Sequence, residues 1–343
     1  MKVVVLAGGI STEREVSIVS GSKVCEALRE KGHQAILLDV YFGMKQVKWE
    51  NAFPDAYCVE EAVNYMKSFN GLVEEEKKSR KQFFGNNVLK LCEAADIVFL
   101  ALHGENGENG KVQAAFDLLG IPYTGSGYLG SALAMDKGLS KQLFLRSGVP
   151  TPAGVVALKS DQKETSKEYG VSLPCVVKPS CGGSSVGVSI ANTEEEFLKA
   201  MEEAFFYEEE VVIEEYISGR EFSVGVVDGE AYPVIEIAPI QGFYDYHNKY
   251  QAGCTVETCP AVLTKEQTKE MQSYAVKAYH TLKLESYARM DFLMNAEGKM
   301  YCLEANTLPG MTPTSLLPQE AAVLGMSYAD LCEKLIEVSL KRF

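Results

Sequence analysis

The chain is predicted to be an α/β protein that becomes α+β partway along, with an open parallel sheet first and antiparallel sheets after it. Three observations predict this. KVVVLAGG (2–9) is a continuous apolar run closed by glycines and followed by a helical pattern, the opening of a strand–helix–strand unit. VVKPSCGGSSVGVS (176–189) puts a lysine before a glycine-serine tip and an alternating, strand-like run after it, so a strand enters this loop and a strand leaves it. REFSVGVVDG (220–229), and YARMDFL with MYCLEANT (287–293 and 300–307), read as hairpin strands.

The elements follow in order. EREVSIVSGSKVCEALREKG (13–32) is a helix with a glycine stop, and HQAILLDV (33–40) a second strand. Residues 41–90 are polar and irregular, and EEEKKSRK reads as a solvated face. DIVFLALHG (96–104) is a buried strand, GKVQAAFDLLG (110–120) a helix closed by Gly120, and IPYTG (121–125) a short strand. SALAMDKGLSKQLFLRSG (131–148) is helical. Thr193 and Glu196 have capping-box spacing before EEEFLKAMEEAF. EVVIEEYI (210–217) is a strand, and Asp228-Gly229 is a hairpin turn pair. Amphipathic helices are expected near 264–283 and 326–341. Domain boundaries are placed at 1–125, 126–214 and 215–343.

Composition narrows the function. With 343 residues, 46% hydrophobic and 23% charged, the chain has material for a sizeable core. A net charge of -14 argues against a nucleic-acid partner held through phosphate contacts. No run approaches a membrane span, and the first apolar stretch is too short for a signal-peptide core. Nine cysteines without a C-x-x-C pair read as reduced thiols in a cytoplasmic protein.

Several stretches carry chemistry. Side chains alternate along a strand, so Glu304 and Asn306 share a face, as do Arg289 and Asp291. With Glu297-Gly298 as the turn pair, Asp291 stands opposite Glu304. Facing carboxylates repel, and a divalent cation such as Mg²⁺, which takes hard oxygens, removes the repulsion. An exposed acidic hairpin is the plainer reading of the same pattern. Gly182, Gly183, Ser184 and Ser185 form a tip rich in backbone N–H groups that can fold over phosphates above Lys178; an ordinary hairpin turn fits equally when taken alone. IEEYISGREF (213–222) offers strand carboxylates and backbone to an adenine, and Glu221 to ribose hydroxyls, or is a solvated strand edge. HGENGENG (103–110) ends a buried strand, so His103 sits at a sheet's carboxyl edge, near a carboxylate or a developing anion. Glu15 lies on the same edge and can hold an ammonium group, or simply favours a helix's first turn. QGFYDYHNKYQAGC (241–254) reads as a lid or a packed loop, with Lys249 in reach of a terminal phosphate and Tyr250 supplying a hydroxyl.

Taken as an ordered set, GGISTEREVS, HGENGENG, GIPYTGSG, SALAMDK, VVKPSCGGSSVG, SGREFSV, FYDYHNKY, ARMDF and LEANTLPGMTPTS resemble the ATP-grasp superfamily, and within it the D-alanine–D-alanine ligases. The resemblance spans nearly the whole chain except 41–90. It implies an ATP-grasp fold of three domains, with nucleotide held between central and C-terminal antiparallel sheets. It implies that ATP phosphorylates one D-alanine carboxylate and that a second D-alanine attacks the acyl phosphate, making a peptidoglycan precursor.

By resemblance, Lys137 and Lys178 hold ATP phosphates under the Ser184–Ser185 tip, and Lys249 reaches the transferred phosphoryl. Glu214, Ile217 (through its backbone) and Glu221 take adenine and ribose. Asp291, Glu304 and Asn306 ligate two Mg²⁺ or Mn²⁺, with a monovalent cation site left open. Arg289 and the Gly310 N–H stabilise the tetrahedral intermediate. Glu15 holds the first ammonium with His103 near its carboxylate, Ser315 and Leu316 take the second carboxylate, and Ser184 and Tyr250 link to Glu15 on closure.

Two positions depart from some relatives: Cys181-Gly182 replaces charged flap residues, and Glu215 stands where a lysine contacts adenine. A cytoplasmic homodimer is implied, with D-alanine and ATP as small-molecule partners. The alternatives are a D-alanine–D-serine or D-alanine–D-lactate ligase, which Tyr250 disfavours, and a non-catalytic nucleotide-binding regulator.

Overall fold

The computed structural model describes residues 1–183, 185–240 and 255–343. The chain divides into two compact units: Met1–Tyr128 with Glu285–Ala288 and Thr307–Phe343, and Leu129–Leu284 with Arg289–Asn306.

The first unit is built on the expected parallel sheet. Strands β1 (Lys2–Ala7), β2 (Gln34–Asp39) and β3 (Ile97–Leu100) lie in the order β2-β1-β3, with Val4 facing Ile36 on one side and Val98 on the other. Val3 to Ala7 expose no surface, as a strand covered on both faces requires. IPYTG adds a single parallel bridge at Tyr123 rather than a strand. Thr124 N–H donates to Val98 O, while Pro122 has no N–H with which to extend the ladder.

Helix α1 (Arg14–Glu30) packs on β1 and β2 through Ile18, Val24 and Leu28. Residues 41–90 are less irregular than their sequence reads. They form helices α2 (Val59–Lys67), α3 (Val73–Ser79) and α4 (Val88–Glu93). The acidic-then-basic run lies in α3, glutamates in its first turn and Lys77 and Lys78 in its last, the order favoured by the helix dipole. No residue of α3 is buried, so there was no apolar stripe to betray it. Helix α5 (Lys111–Leu119) ends at Gly120 in a left-handed conformation, as expected.

The second unit begins with α6 (Tyr128–Met135) and α7 (Lys137–Ser147); Asp136 caps α7 by accepting from Leu139 N–H at 2.9 Å. Strands β4 (Gly154–Leu158), β5 (Cys175–Pro179), β6 (Ser189–Ala191) and β7 (Glu210–Glu215) form an antiparallel sheet in the order β4-β7-β5-β6. Helix α8 (Glu194–Tyr207) covers one face with Phe197, Ala200, Met201, Ala204 and Phe205, a spacing that keeps one stripe inward. Its capping box is displaced by one residue: Thr193 accepts from Glu196 N–H, but Glu196 accepts from Asn192 N–H.

The larger sheet holds β8 (Gly219–Val227), β9 (Glu230–Ala231), β10 (Ile235–Pro239), β11 (Thr255–Thr258), β12 (Tyr287–Asn295) and β13 (Met300–Asn306), ordered β11-β10-β8-β12-β13 with β9 beside β8. Asp228 (φ +56°) and Gly229 (φ +81°) make the expected tight turn. Helix α9 (Lys265–Thr281) covers β8 and β13 with Met271, Ala275 and Ala278.

Two last helices, α10 (Leu316–Val323) and α11 (Tyr328–Leu340), belong to the first unit, and α11 packs on α1. Among the described residues no helix is long and apolar enough to cross a membrane. Lys31 binds Asp330 and, at 3.3 Å, Glu333, tying the start of α11 to the end of α1.

The Lys31 ammonium, with the Ser327 hydroxyl and N–H, holds the Asp330 carboxyl down to about 2. Because that value lies below the unfolded one, its contribution is complete above about pH 4 and fades as pH falls toward about 2. Asp330→Asn should therefore flatten the dependence of unfolding free energy on pH across that window, read by urea denaturation at each pH. Equal slopes for the two proteins would show that the pair carries none of it.

Candidate active site

Between the two sheets of the second unit lies a cavity of about 470 Å³, a size typical of small-molecule sites. Alternation along the strands decides what reaches it. Val177, Val211 and Ile213 turn toward α8, so Val176, Lys178 and Glu214 turn the other way and line the cavity. On β12, Met290 and Phe292 are buried on one face while Asp291 and Leu293 face the cavity. Glu221 reaches it from β8, and Ile217 from the segment after β7.

The β5–β6 hairpin confirms the strand–loop–strand reading, with Val177 facing Ser189. The loop is fastened at its base. Lys137 N–H donates to Ser180 O, Ser180 Oγ donates to Asp136 Oδ1, and Lys137 Nζ donates to Gly182 O at 2.6 Å. One residue, Asp136, thus caps α7 and anchors the loop. Ser185 adopts φ +58°, a conformation that glycine takes more readily.

Beneath the loop, Glu214 is buried with both carboxylate oxygens committed. Lys178 Nζ binds Oε1 at 2.6 Å and Lys141 Nζ binds Oε2 at 2.5 Å. Burial pushes the Glu214 carboxyl up, but Lys178 and Lys141 more than reverse this and leave it below its ordinary value. Burial lowers the Lys141 ammonium in turn, although Glu214 opposes the shift. The side chain assigned to adenine by resemblance is therefore occupied by lysines. Glu215 accepts from Ala153 N–H at 2.8 Å, so this departure from the lysine-bearing relatives is turned onto the neighbouring backbone. On β4, Gly154 faces Glu214, and a methyl group there would meet Ile213 O at 2.5 Å and Glu214 Cβ at 2.8 Å. The close strand approach needs glycine.

The terminal hairpin sets Asp291 opposite Glu304 and Arg289 opposite Asn306. The expected two-residue turn is not what produces this register. Asn295 and Lys299 close a longer loop, and a bulge in β13 takes up the difference. Asp291 faces Glu304 while Phe292 faces Cys302, so Leu303 is the extra residue, and both Leu303 and Glu304 line the cavity.

The facing carboxylates are neutralised from within. Arg289 binds Asp291 through two N–H groups at 2.9 and 2.8 Å, Ser223 Oγ donates to it at 2.7 Å and Asn306 Nδ2 at 2.8 Å. Lys137 Nζ lies 3.4 Å from Glu304 Oε2. Among the described residues no three His, Cys, Asp or Glu side chains gather as metal ligands. Two carboxylates plus an amide are nonetheless the hard, incomplete donor set that Mg²⁺ accepts when substrate and water fill the other positions.

The first unit carries the remaining predicted residues. His103, 7% exposed, places Nδ1 3.2 Å from Leu308 O and Nε2 3.1 Å from Ser20 Oγ. A carbonyl only accepts, so Nδ1 carries the proton and donates. Glu108 accepts from Gly104 N–H and Leu308 N–H, joining the two loops. Gly310 lies close to Ser315, which precedes α10, and Leu316 is buried at that helix's start.

The two glutamates of STEREVS separate. Glu15 is on the exposed face of α1, where Asn70 donates to it. Glu13, which sequence reasoning passed over, is buried at the helix N-cap, and a methyl on Gly104 would meet its Oε2 at 3.0 Å. Lys141, also passed over, had one available signal: it lies four residues after Lys137 on the same helical face. Ser184, Lys249 and Tyr250 lie outside the described residues.

The profile of the family described as D-ala D-ala ligase N-terminus matches residues 2–126, and that described as D-ala D-ala ligase C-terminus matches 143–337. The chain belongs to the D-alanine–D-alanine ligase family. A D-alanine–D-alanine ligase from Pediococcus pentosaceus is 44% identical over 98% of this chain and 97% of its own. The solved D-alanine–D-alanine ligase of Bacillus anthracis complexed with ATP superposes with a TM-score of 0.77 at 31% identity, covering 99% of this chain and 97% of that one. The D-Ala:D-Ser ligase VanG of Enterococcus faecalis gives 0.77 at 29% identity, covering 98% and 99%. Membership in the D-alanine–D-alanine ligase family accords with the mixed architecture predicted above, a parallel sheet followed by antiparallel ones.

Gly154→Ala should destabilise this ligase-family fold by about 1–3 kcal/mol through overpacking against β7, measured by chemical denaturation. Stability unchanged from the parent would mean that β4 and β7 have room to spare.

Proposed function

We propose that the protein joins two D-alanine molecules at the expense of ATP, for the synthesis of a peptidoglycan precursor. The observation that carries this reading is the cavity of the second unit, where Lys178 and Lys137 converge with Asp291 and Glu304, and Asn306 bonds Asp291, in a chain that the family profiles match nearly end to end. The 44% identity, over nearly the whole chain, to a relative named as a D-alanine–D-alanine ligase supports D-alanine as second substrate.

In this reading the second unit holds ATP. Lys178 and Lys137 meet the phosphates, the loop of Gly182, Gly183 and Ser185 with Ser184 covers them, and Ile217 and Glu221 hold adenine and ribose. Lys249 and Tyr250 extend the same set. Asp291, Glu304 and Asn306 would hold Mg²⁺ or Mn²⁺, which when bound supplies positive charge against the triphosphate. The γ-phosphoryl passes to a carboxylate oxygen of the first D-alanine. The second amine, having lost a proton, forms a C–N bond as the C–O bond to phosphate breaks. Arg289 and the Gly310 N–H take the charge that develops on the carbonyl oxygen.

The first unit holds the amino acids. Ser315 and Leu316 open α10, whose N–H groups suit a carboxylate. His103 has both ring nitrogens engaged, so it acts chiefly by fixing Leu308. Of the two glutamates, the buried Glu13 is better placed than Glu15 to hold an ammonium group beside the Gly104 loop. A three-part working division at 1–125, 126–214 and 215–343, and a cytoplasmic homodimer, complete the proposal.

Phosphate release from ATP and Mg²⁺ should require D-alanine and yield the dipeptide. Glu304→Gln should lower kcat by at least 100-fold while the protein still unfolds cooperatively; near-normal turnover would remove Glu304 from the metal set. Glu13→Gln should raise KM for D-alanine at least tenfold and Glu15→Gln by less than threefold, and the reverse pattern would return the ammonium to Glu15.

A further inference from the structure

The Glu214 cluster holds one lysine too many for a simple ion pair. Lys178 and Glu214 line the cavity, whereas Lys141 does not. Lys141 reaches the cluster from α7, with its side chain 6% exposed, and donates to Thr151 Oγ1 at 3.2 Å as well as to Glu214. One carboxylate between two ammonium groups leaves the cluster at +1. Without Lys141 it would be neutral, and the Lys178 charge would be cancelled at 2.6 Å by the Glu214 oxygen it binds.

The other cations at and beside the cavity each face a carboxylate, while Glu215 and Glu221 add further negative charge to its lining. Lys137 lies by Glu304, Arg289 grips Asp291, and Arg220 binds Glu236 through two contacts of 2.7 Å. Removing the odd lysine therefore takes one positive charge from a cavity whose lining already has carboxylates to spare. A charge that never touches a ligand still acts on it across a few ångströms of poorly polarisable interior.

We propose that Lys141 is a positioning residue for the phosphates of ATP: by satisfying Glu214 from behind, it frees the positive charge of Lys178 for the nucleotide. This rests on the reading of the cavity as the ATP site. Size or packing alone does not account for the arrangement, because a buried apolar side chain would fill the same space without adding charge.

The test is Lys141→Met, alone and with Glu214→Gln. The double variant restores +1, because Lys178 keeps an amide oxygen to bind while both Lys141 and the Glu214 charge are gone. K141M should raise KM for ATP at least tenfold with KM for D-alanine within twofold of the parent, and the double variant should bring KM for ATP back to within threefold. A merely structural role predicts that the double variant is at least as impaired as K141M. KM for ATP within twofold of the parent in a folded K141M, or no recovery in the double variant, overturns the proposal. Should K141M fail to fold, the double variant decides: a near-parental KM for ATP supports the proposal, and a tenfold rise or failure to fold overturns it. If the parent itself releases no phosphate with D-alanine, it is the ligase reading that fails.

Discussion

A carboxylate without access to water must have its countercharge inside the fold, and Glu214 has it from two directions. Lys178 comes from β5, Lys141 from α7 and Glu214 from β7, so three elements are fixed by one cluster. Removing one partner from a buried ion pair typically costs about 3–5 kcal/mol, because the remaining charge is stranded. The cluster therefore dictates local geometry. Gly154 must be a glycine for β4 to approach Glu214, and α7 must start where Asp136 can cap it and hold Ser180. The β5–β6 loop thus begins from a hydrogen-bonded base.

The same logic governs the terminal hairpin. Asp291 and Glu304 face each other across two strands, an arrangement that repels when uncompensated. Four donor contacts on Asp291 and the nearby Lys137 on Glu304 make the pair tenable without any ion. The carboxylates can then be held in place before a ligand arrives. Pre-set charges of this kind need little rearrangement when substrate charge develops, which is where electrostatic catalysis gains most.

Much of this was legible in the sequence because periodicity and turn chemistry are local. The buried β1 and β3, the Asp228-Gly229 turn and the face shared by Glu304 and Asn306 all follow from rules that span a few residues. What escaped was set elsewhere. The Asp291–Glu304 register came out as expected although the loop is longer than a two-residue turn, because Leu303 adds a compensating bulge. A bulge depends on what the strand must present to the cavity, not on any turn signal in NAEG. Helix α3 was hidden because it buries nothing, α2 and α4 because nine and six residues are too few to show a helical period, and Lys141 because its partner lies 73 residues away.

Glu13 and Glu15 show where local reasoning reaches its limit. Both belong to a helix start, where carboxylates favour the dipole equally, so electrostatics alone does not choose between them. Geometry does. Two residues on a helix differ by about 200°, which sends neighbouring glutamates to opposite sides. Arg14, between them, is drawn inward by Asp39 at 2.6 Å and by the carbonyls of Gly9 and Met66. With that residue pinned, Glu13 turns toward the Gly104 loop and Glu15 toward Asn70. The partner that orients the motif comes from β2, and Asn70 from the stretch between β2 and β3. The direction in which each carboxylate points is thus a property of the folded unit rather than of TEREVS itself.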